Sequence, residues 1–165
     1  MMNINCYTTS QDDLAKTFCQ LAEKCYYSNI RTNVITHNPD YTKSLDRVLW
    51  TYSKKHFIPH ATNTDPLPEK QLIYITDKLE NPNNAESIIF INPTNIIINE
   101  ATTKSSAVRF DQFQKIYLIF DDMQKTSATK VNEMLKKSSA KKYKINFFVK
   151  NDQGMWQKPL INNLS

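Results

Sequence analysis

A single glycine, Gly154, serves the whole chain of 165 residues. A loop that cradles phosphate needs several glycines, because only they let backbone N–H groups approach the anion closely. Neither GxGxxG nor a GxxxxGKS-type loop can be written with one glycine, so nucleotide chemistry of the P-loop or dinucleotide kind is disfavoured from the start. Hydrophobic residues make up 40% of the chain, enough for a core, and the length fits one domain over 1–165. The longest apolar run, Ile116-Tyr117-Leu118-Ile119-Phe120, is far short of the ~20 residues that span a bilayer. Met1 to Ser10 shows neither a basic nor an apolar leader region, and Cys6, Cys19 and Cys25 form no CxxC. These features describe a cytosolic protein with reduced, buried thiols.

The apolar periodicity alternates between strand and helix. Asn3–Thr8 predicts a strand. Ser10-Gln-Asp-Asp13 reads as a capping box for a helix carrying Leu14, Phe18, Leu21, Ala22 and Cys25 on one face. That helix runs to about Tyr27, and Asn29 is the residue best able to replace Gly in a left-handed stop. A strand at Asn33–Thr36 and a helix opening at Pro39-Asp40 follow, the helix with Tyr41, Leu45, Val48, Leu49 and Tyr52 on one face. Thr51 to Lys70 is a long irregular segment. Further strands are predicted at Leu72–Thr76, Ser87–Ile91, Ile116–Phe120 and Phe147–Val149, with a strand fragment at Ile96-Ile97-Ile98. A last helix, capped by Thr126 or Ser127, runs to about Lys142. Strands and helices in this alternation predict an α/β fold, Rossmann-like in having a mainly parallel sheet.

Charge is placed unevenly. From Met123 onward nine lysines face only Glu133 and Asp152, a net +7, whereas the first 122 residues sum to −2. A basic end on a neutral-to-acidic body points to an acidic partner there. At ~100° per residue, Lys130, Lys137, Lys141 and Lys144 fall within an arc of about 60° on the last helix. Val131, Met134, Leu135 and Ala128 occupy the adjoining arc, expected to face the core. A cationic edge beside an apolar face suits a short acidic peptide with a hydrophobic anchor. A solubilising face, or a direct single-stranded nucleic-acid surface using the lysines with Tyr143, Phe147, Phe148 and Trp156, would read similarly.

Catalytic and metal motifs are weak. Asp121-Asp122 follows an apolar strand, but without a phosphate loop it reads as a solvated strand end. His56 and His60 have a zinc-like spacing that Pro59 breaks. No Gly-x-Ser-x-Gly elbow exists, and no cofactor is implied.

One segment is more specific than these patterns. Leu45-Asp46-Arg47-Val48-Leu49-Trp50 is followed by Phe57-Ile58-Pro59-His60. This LDxxLW helix end, short spacer and Phe-x-Pro-His turn resemble the chi subunit of bacterial DNA polymerase III. Gln71-Leu72-Ile73, Phe113-Gln-Lys-Ile116, Ile119-Phe120-Asp121 and the basic run through Ala140, Lys141, Tyr143 and Lys144 agree in order. The likeness extends over about 3–158. Departures are Asn29 for the family's usual Gly, Lys137 for Arg and Ala140 for an aromatic residue. The resemblance implies a three-layer α/β/α fold without a nucleotide site, and a non-catalytic, clamp-loader-associated accessory protein at the cytoplasmic replisome. By resemblance it bridges the psi subunit and the acidic tail of single-stranded-DNA-binding protein, and a helicase-like repair protein shares the psi surface. The implied psi surface comprises Leu49, Trp50, Phe57, Ile58, Pro59 and His60. The implied tail site comprises Lys130, Met134, Lys137, Lys141 and Lys144. Nucleic acid would be contacted mainly indirectly, and no membrane or metal is involved.

Overall fold

The structure is a computed structural model that describes residues 2–121, 129–133, 135 and 143–158. The elements are β1 (Met2–Thr9), α1 (Leu14–Tyr27), β2 (Thr32–Ile35), α2 (Pro39–Thr51), β3 (Ala61–Thr62), β4 (Ile73–Thr76), β5 (Ser87–Ile91), α3 (Asn95–Ala101), β6 (Lys115–Asp121), β7 (Tyr143–Lys150) and β8 (Trp156–Gln157). Residues 129–133 and 135 are helical. The strands form one sheet in the order β3-β4-β2-β5-β6-β1-β7-β8. Every pairing is parallel except the terminal hairpin of β7 with β8.

Parallel strands must be covered on both faces, because their crossover helices lie there. The central strands therefore read as continuous apolar runs: all of Ser87–Ile91 is buried, as are residues 116–121. Alternate residues divide between two cores. Ile88, Phe90, Ile116, Leu118 and Phe120 meet α3 with Val131 and Leu135. Ile89, Ile91, Tyr117 and Ile119 meet the apolar faces of α1 and α2. The result is the expected three-layer α/β/α arrangement, with no helix among the described residues long and apolar enough to cross a membrane.

Several local expectations hold. Asn29 has φ +54°, its N–H bonds the Tyr26 carbonyl, and the Ile30 N–H bonds the Cys25 carbonyl, each at 2.9 Å. This is a Schellman stop with Asn in the glycine position. Asn38 caps α2 by accepting from the Tyr41 N–H at 2.8 Å, with Pro39 at the first helical position.

Others are corrected. Ile96-Ile97-Ile98 lies in α3, not in a strand. Thr94 Oγ1 accepts from the Ile97 N–H, and Ile98 and Ala101 are buried one turn apart, so cap and packing override the β-branched preference of isoleucine. Ser10 accepts from the Asp13 N–H, but α1 begins only at Leu14. The Asp13 carboxylate pairs with Lys150 at 3.2 Å instead of closing a capping box. Tyr143 and Lys144 belong to β7, so Lys144 is not on a helical stripe.

All three cysteines are free and buried. Burial pushes the Cys6 thiol up to about 12; the same cause, with Glu23 nearby, raises Cys19 to about 12. An unfolded chain releases these protons from about pH 9 upward, a folded one only near 12, so between those limits the unfolded state binds fewer protons. Stability present below about pH 9 is expected to fall as pH rises toward 12. Urea midpoints across that range check it, and at pH 8 iodoacetamide is expected to label these thiols only after unfolding. At the α1 stop, Asn29→Ala is expected to lower stability by ~1 kcal/mol and Asn29→Gly to leave it unchanged or higher, also by urea midpoint.

Candidate functional site: an exposed aromatic patch at the ends of α1 and α2

Trp50 lies at the carboxyl-terminal end of α2, where the Thr51 hydroxyl turns back to the carbonyls of Arg47 and Val48. The Tyr52 hydroxyl donates to Glu23 of α1 at 3.3 Å, fixing the two helices where the chain leaves. Ser53 Oγ then accepts from the Lys55 and His56 N–H groups, which turns the loop. Ile58, only 1% exposed, plugs that loop into the core beside Leu49, 2% exposed.

This anchoring leaves the neighbours outside. Trp50 is 57% exposed and Phe57 49%, and Pro59 is exposed. The Trp50 and Phe57 rings lie 4.6 Å apart with their planes 33° from parallel. Beneath them sits His60, at 5.5 Å from Trp50 and 6.0 Å from Phe57. The His60 side chain is fully buried, with Nε2 at 3.0 Å from an Asp46 carboxylate oxygen and Nδ1 at 2.7 Å from the Ile58 carbonyl. The Asp46 contact is a close approach rather than a well-aligned hydrogen bond. One ring thus ties α2 to the loop and sets the base on which the aromatic pair rests.

The six residues expected at this surface therefore divide by depth. Trp50, Phe57 and Pro59 face solvent; Leu49, Ile58 and the His60 ring support them from below. The patch is also wider than expected. Tyr27, the last residue of α1, is 58% exposed, and its ring meets His56 at 6.2 Å, edge to face. The sequence signal for Tyr27 was only its place just past the apolar face of α1.

The second expected site is partly visible. Val131 and Leu135 are buried in the core, and Lys130 and Glu133 are exposed. Lys144 is exposed on β7. Met134, Lys137, Lys141, Ala128 and Ala140 lie outside the described residues. The aromatic residues that a nucleic-acid platform would use are engaged internally. Phe148 stacks on Tyr7 at 5.0 Å and Trp156 meets Tyr7 edge-on at 4.9 Å. Lys150 lies 5.2 Å over Trp156 while pairing with Asp13. Tyr143 packs edge-on against Phe110, and Phe147 borders the same core.

A polar cleft of about 500 Å³ opens at the carboxyl ends of the strands, lined by Gln11, His37, Tyr41, Asn92, Thr94 and Asp121. Asp121 is not a solvated strand end: it is 7% exposed. Asn92 Nδ2 donates to its carboxylate and Asn92 Oδ1 accepts from its N–H, both at 3.0 Å. Burial, followed by the nearby Asp121 charge, raises the Tyr41 hydroxyl to about 12. Asp122 lies outside the described residues. His56 and His60 point to different surroundings, and no cluster of His, Cys, Asp and Glu suited to a metal exists among the described residues.

Comparison with known proteins places the chain. A family model described as DNA polymerase III chi subunit, HolC, matches residues 1–146. A protein of Rickettsia prowazekii (strain Madrid E) named "Probable DNA polymerase III subunit chi" is 38% identical over 160 residues, covering 96% of this chain and 92% of that protein.

The depth difference within Phe57-Ile58 is testable. Ile58→Ala is expected to lower stability by ~2–5 kcal/mol, the range for truncating a buried aliphatic side chain. Phe57→Ala is expected to cost less than ~1.5 kcal/mol, because half of its ring already faces water. Urea unfolding of the two variants beside the unmodified chain measures both.

Proposed function

The chain belongs to the DNA polymerase III chi subunit family, and on that premise we propose that it is a non-catalytic adaptor in the cytoplasmic replisome. It joins the clamp-loader-associated psi subunit to the acidic carboxyl-terminal tail of single-stranded-DNA-binding protein. The observation that carries this reading is the exposed Trp50–Phe57 pair held on a buried His60. Large aromatic side chains fixed in place but half in water lose little conformational freedom on binding, which is what an interface anchor needs. Psi, or a helicase-like repair protein in its place, would occupy this surface.

The tail site is assigned to Lys130, Met134, Lys137, Lys141 and Lys144, from the family pattern and the basic run in the sequence. Exposure of Lys130 beside buried Val131 supports a cationic edge along an apolar face. Lys144 would contribute from the strand rather than from the helix. A carboxylate-rich peptide gains charge-assisted contacts there and buries its hydrophobic end.

No polymerase, nuclease or ATPase activity is assigned to this chain. It has no glycine loop for phosphate, and the buried carboxylate of Asp121 at a strand end is engaged by Asn92.

Titration calorimetry with purified psi and with a synthetic tail peptide tests both halves. Trp50→Ala with Phe57→Ala is expected to weaken psi binding by at least ~30-fold, the scale of an interface hot spot, and to leave tail binding unchanged. Lys137→Glu with Lys141→Glu is expected to abolish tail binding and spare psi. Tail affinity should fall with salt, but less steeply than binding to a long phosphate backbone. Unchanged psi affinity in the aromatic double variant would refute the surface assignment.

A further inference from the structure

The aromatic patch adjoins the edge of the sheet, because β3 begins directly after His60 and is the outermost strand on that side. An exposed strand edge is ordinarily a template for another strand. Here it is closed. The Asn63 N–H points inward to the Ile75 carbonyl of β4, so the Thr62 N–H and carbonyl point outward. Asp65 takes both: its carboxylate accepts from the Thr62 N–H at 2.8 Å and from the Thr62 hydroxyl at 3.1 Å. Its own N–H donates to the Thr62 carbonyl at 3.0 Å. No outward backbone group of Thr62 is left to pair with an added strand, so a partner at this end must dock through side chains.

The charge around the patch is predominantly cationic. Lys24 precedes Tyr27 by three residues on α1, and Arg47 precedes Trp50 by three on α2; residues three apart share a helix face. Both are exposed, as are Lys54 and Lys55 in the loop between the aromatic groups. The nearby carboxylates are two, Asp46 against the His60 ring and Glu23 accepting from the Tyr52 hydroxyl. Four cations thus flank the aromatic centre against two carboxylates that each face a side chain of the fold.

From the closed edge and this cationic flank we infer that the patch receives an amphipathic helix with an apolar stripe bordered by Asp and Glu. The inference rests on the assignment of the patch to psi and specifies what psi presents there. Tyr, Trp and Arg are the side chains that dominate protein interfaces when buried together, which favours a protein partner over a nucleic-acid strand. A stripe at i, i+3 or i+4, and i+7 would meet Tyr27, Trp50 and Phe57, and its bordering carboxylates would meet Lys24, Arg47, Lys54 and Lys55.

The test uses the full chain with purified psi. Lys24→Glu with Arg47→Glu is expected to weaken psi binding about tenfold or more at low salt, with the difference shrinking as salt is raised to about 300 mM. Trp50→Ala is measured alongside. Isotope-labelled psi residues showing contacts to the Trp50 ring are expected to have helical carbon chemical shifts. Loss of psi binding in Trp50→Ala, with no change in Lys24→Glu/Arg47→Glu, would overturn the acidic helix while leaving the psi assignment in place. Extended shifts at the contact would overturn the helix. Unchanged binding in Trp50→Ala would overturn the psi assignment itself. A dT20 oligonucleotide that competes with psi and is weakened by the same charge reversal would make the patch a nucleic-acid surface and overturn the proposal.

Discussion

The parallel pairing of β1 with both β6 and β7 holds the two halves of the sequence in one sheet. Ile4, Cys6 and Thr8 lie against Ile116, Leu118 and Phe120 on one side. On the other side Ile4, Cys6 and Thr8 lie against Ile145, Phe147 and Val149. The first strand is therefore completed only by strands that begin more than a hundred residues later. Contacts of that sequence separation close long loops before they are rewarded, so β1 pairing is expected late and slow in folding. Once made, it requires cover on both faces, and α1 with α2 on one side and α3 with Val131 and Leu135 on the other provide it. The position of the aromatic patch follows from where α1 and α2 end.

The scarcity of glycine shapes the connections. Left-handed backbone is disfavoured for residues with a Cβ, by roughly 1–2 kcal/mol, and asparagine tolerates it best because its amide bonds locally. Among the described residues, three of the four non-glycine positions with positive φ are asparagines: Asn29, Asn84 and Asn92. Asn29 was legible in the sequence, since it follows the last residue of an amphipathic helix. Asn92 was not, because its role depends on Asp121, which is distant in sequence and arrives beside it only when β5 pairs with β6. Leu67, at φ +58° between Pro66 and Pro68, had no sequence signal at all.

Apolar runs and helical periodicity made most of the architecture legible, because a strand buried on both faces and a helix buried on one leave different patterns. They fail where a pattern is short. The isoleucines of α3 are as suited to a strand as to a helix, and Thr94 with the spacing of Ile98 and Ala101 decides between them. β3 and β8, of two residues each, are too short to leave a period. At the aromatic patch the residue types were legible but their depth was not. Phe57 and Ile58 are adjacent, equally apolar and opposite in exposure, and what separates them is the loop turn set by Ser53 and the buried tie of His60 to Asp46. Tyr27 and His56 joined the patch only through the packing of α1 against that loop.

The sheet also governs how the two candidate surfaces relate. Leu45 and Leu49 of α2 pack in one core, and the helical residues Val131 and Leu135 in the other. The elements bearing the aromatic patch and the exposed Lys130 therefore lie on opposite faces of a sheet whose central strands are buried on both sides. Close-packed interiors resist small deformations, and sites without shared contacts usually contribute independently to free energy. Among the described residues, the two sides are joined through the buried strands β5, β6 and β1, which have little room to shift. If the two surfaces take the partners proposed for them, binding at one is expected to change affinity at the other little, which is the property a static bridge requires and an allosteric switch would lack.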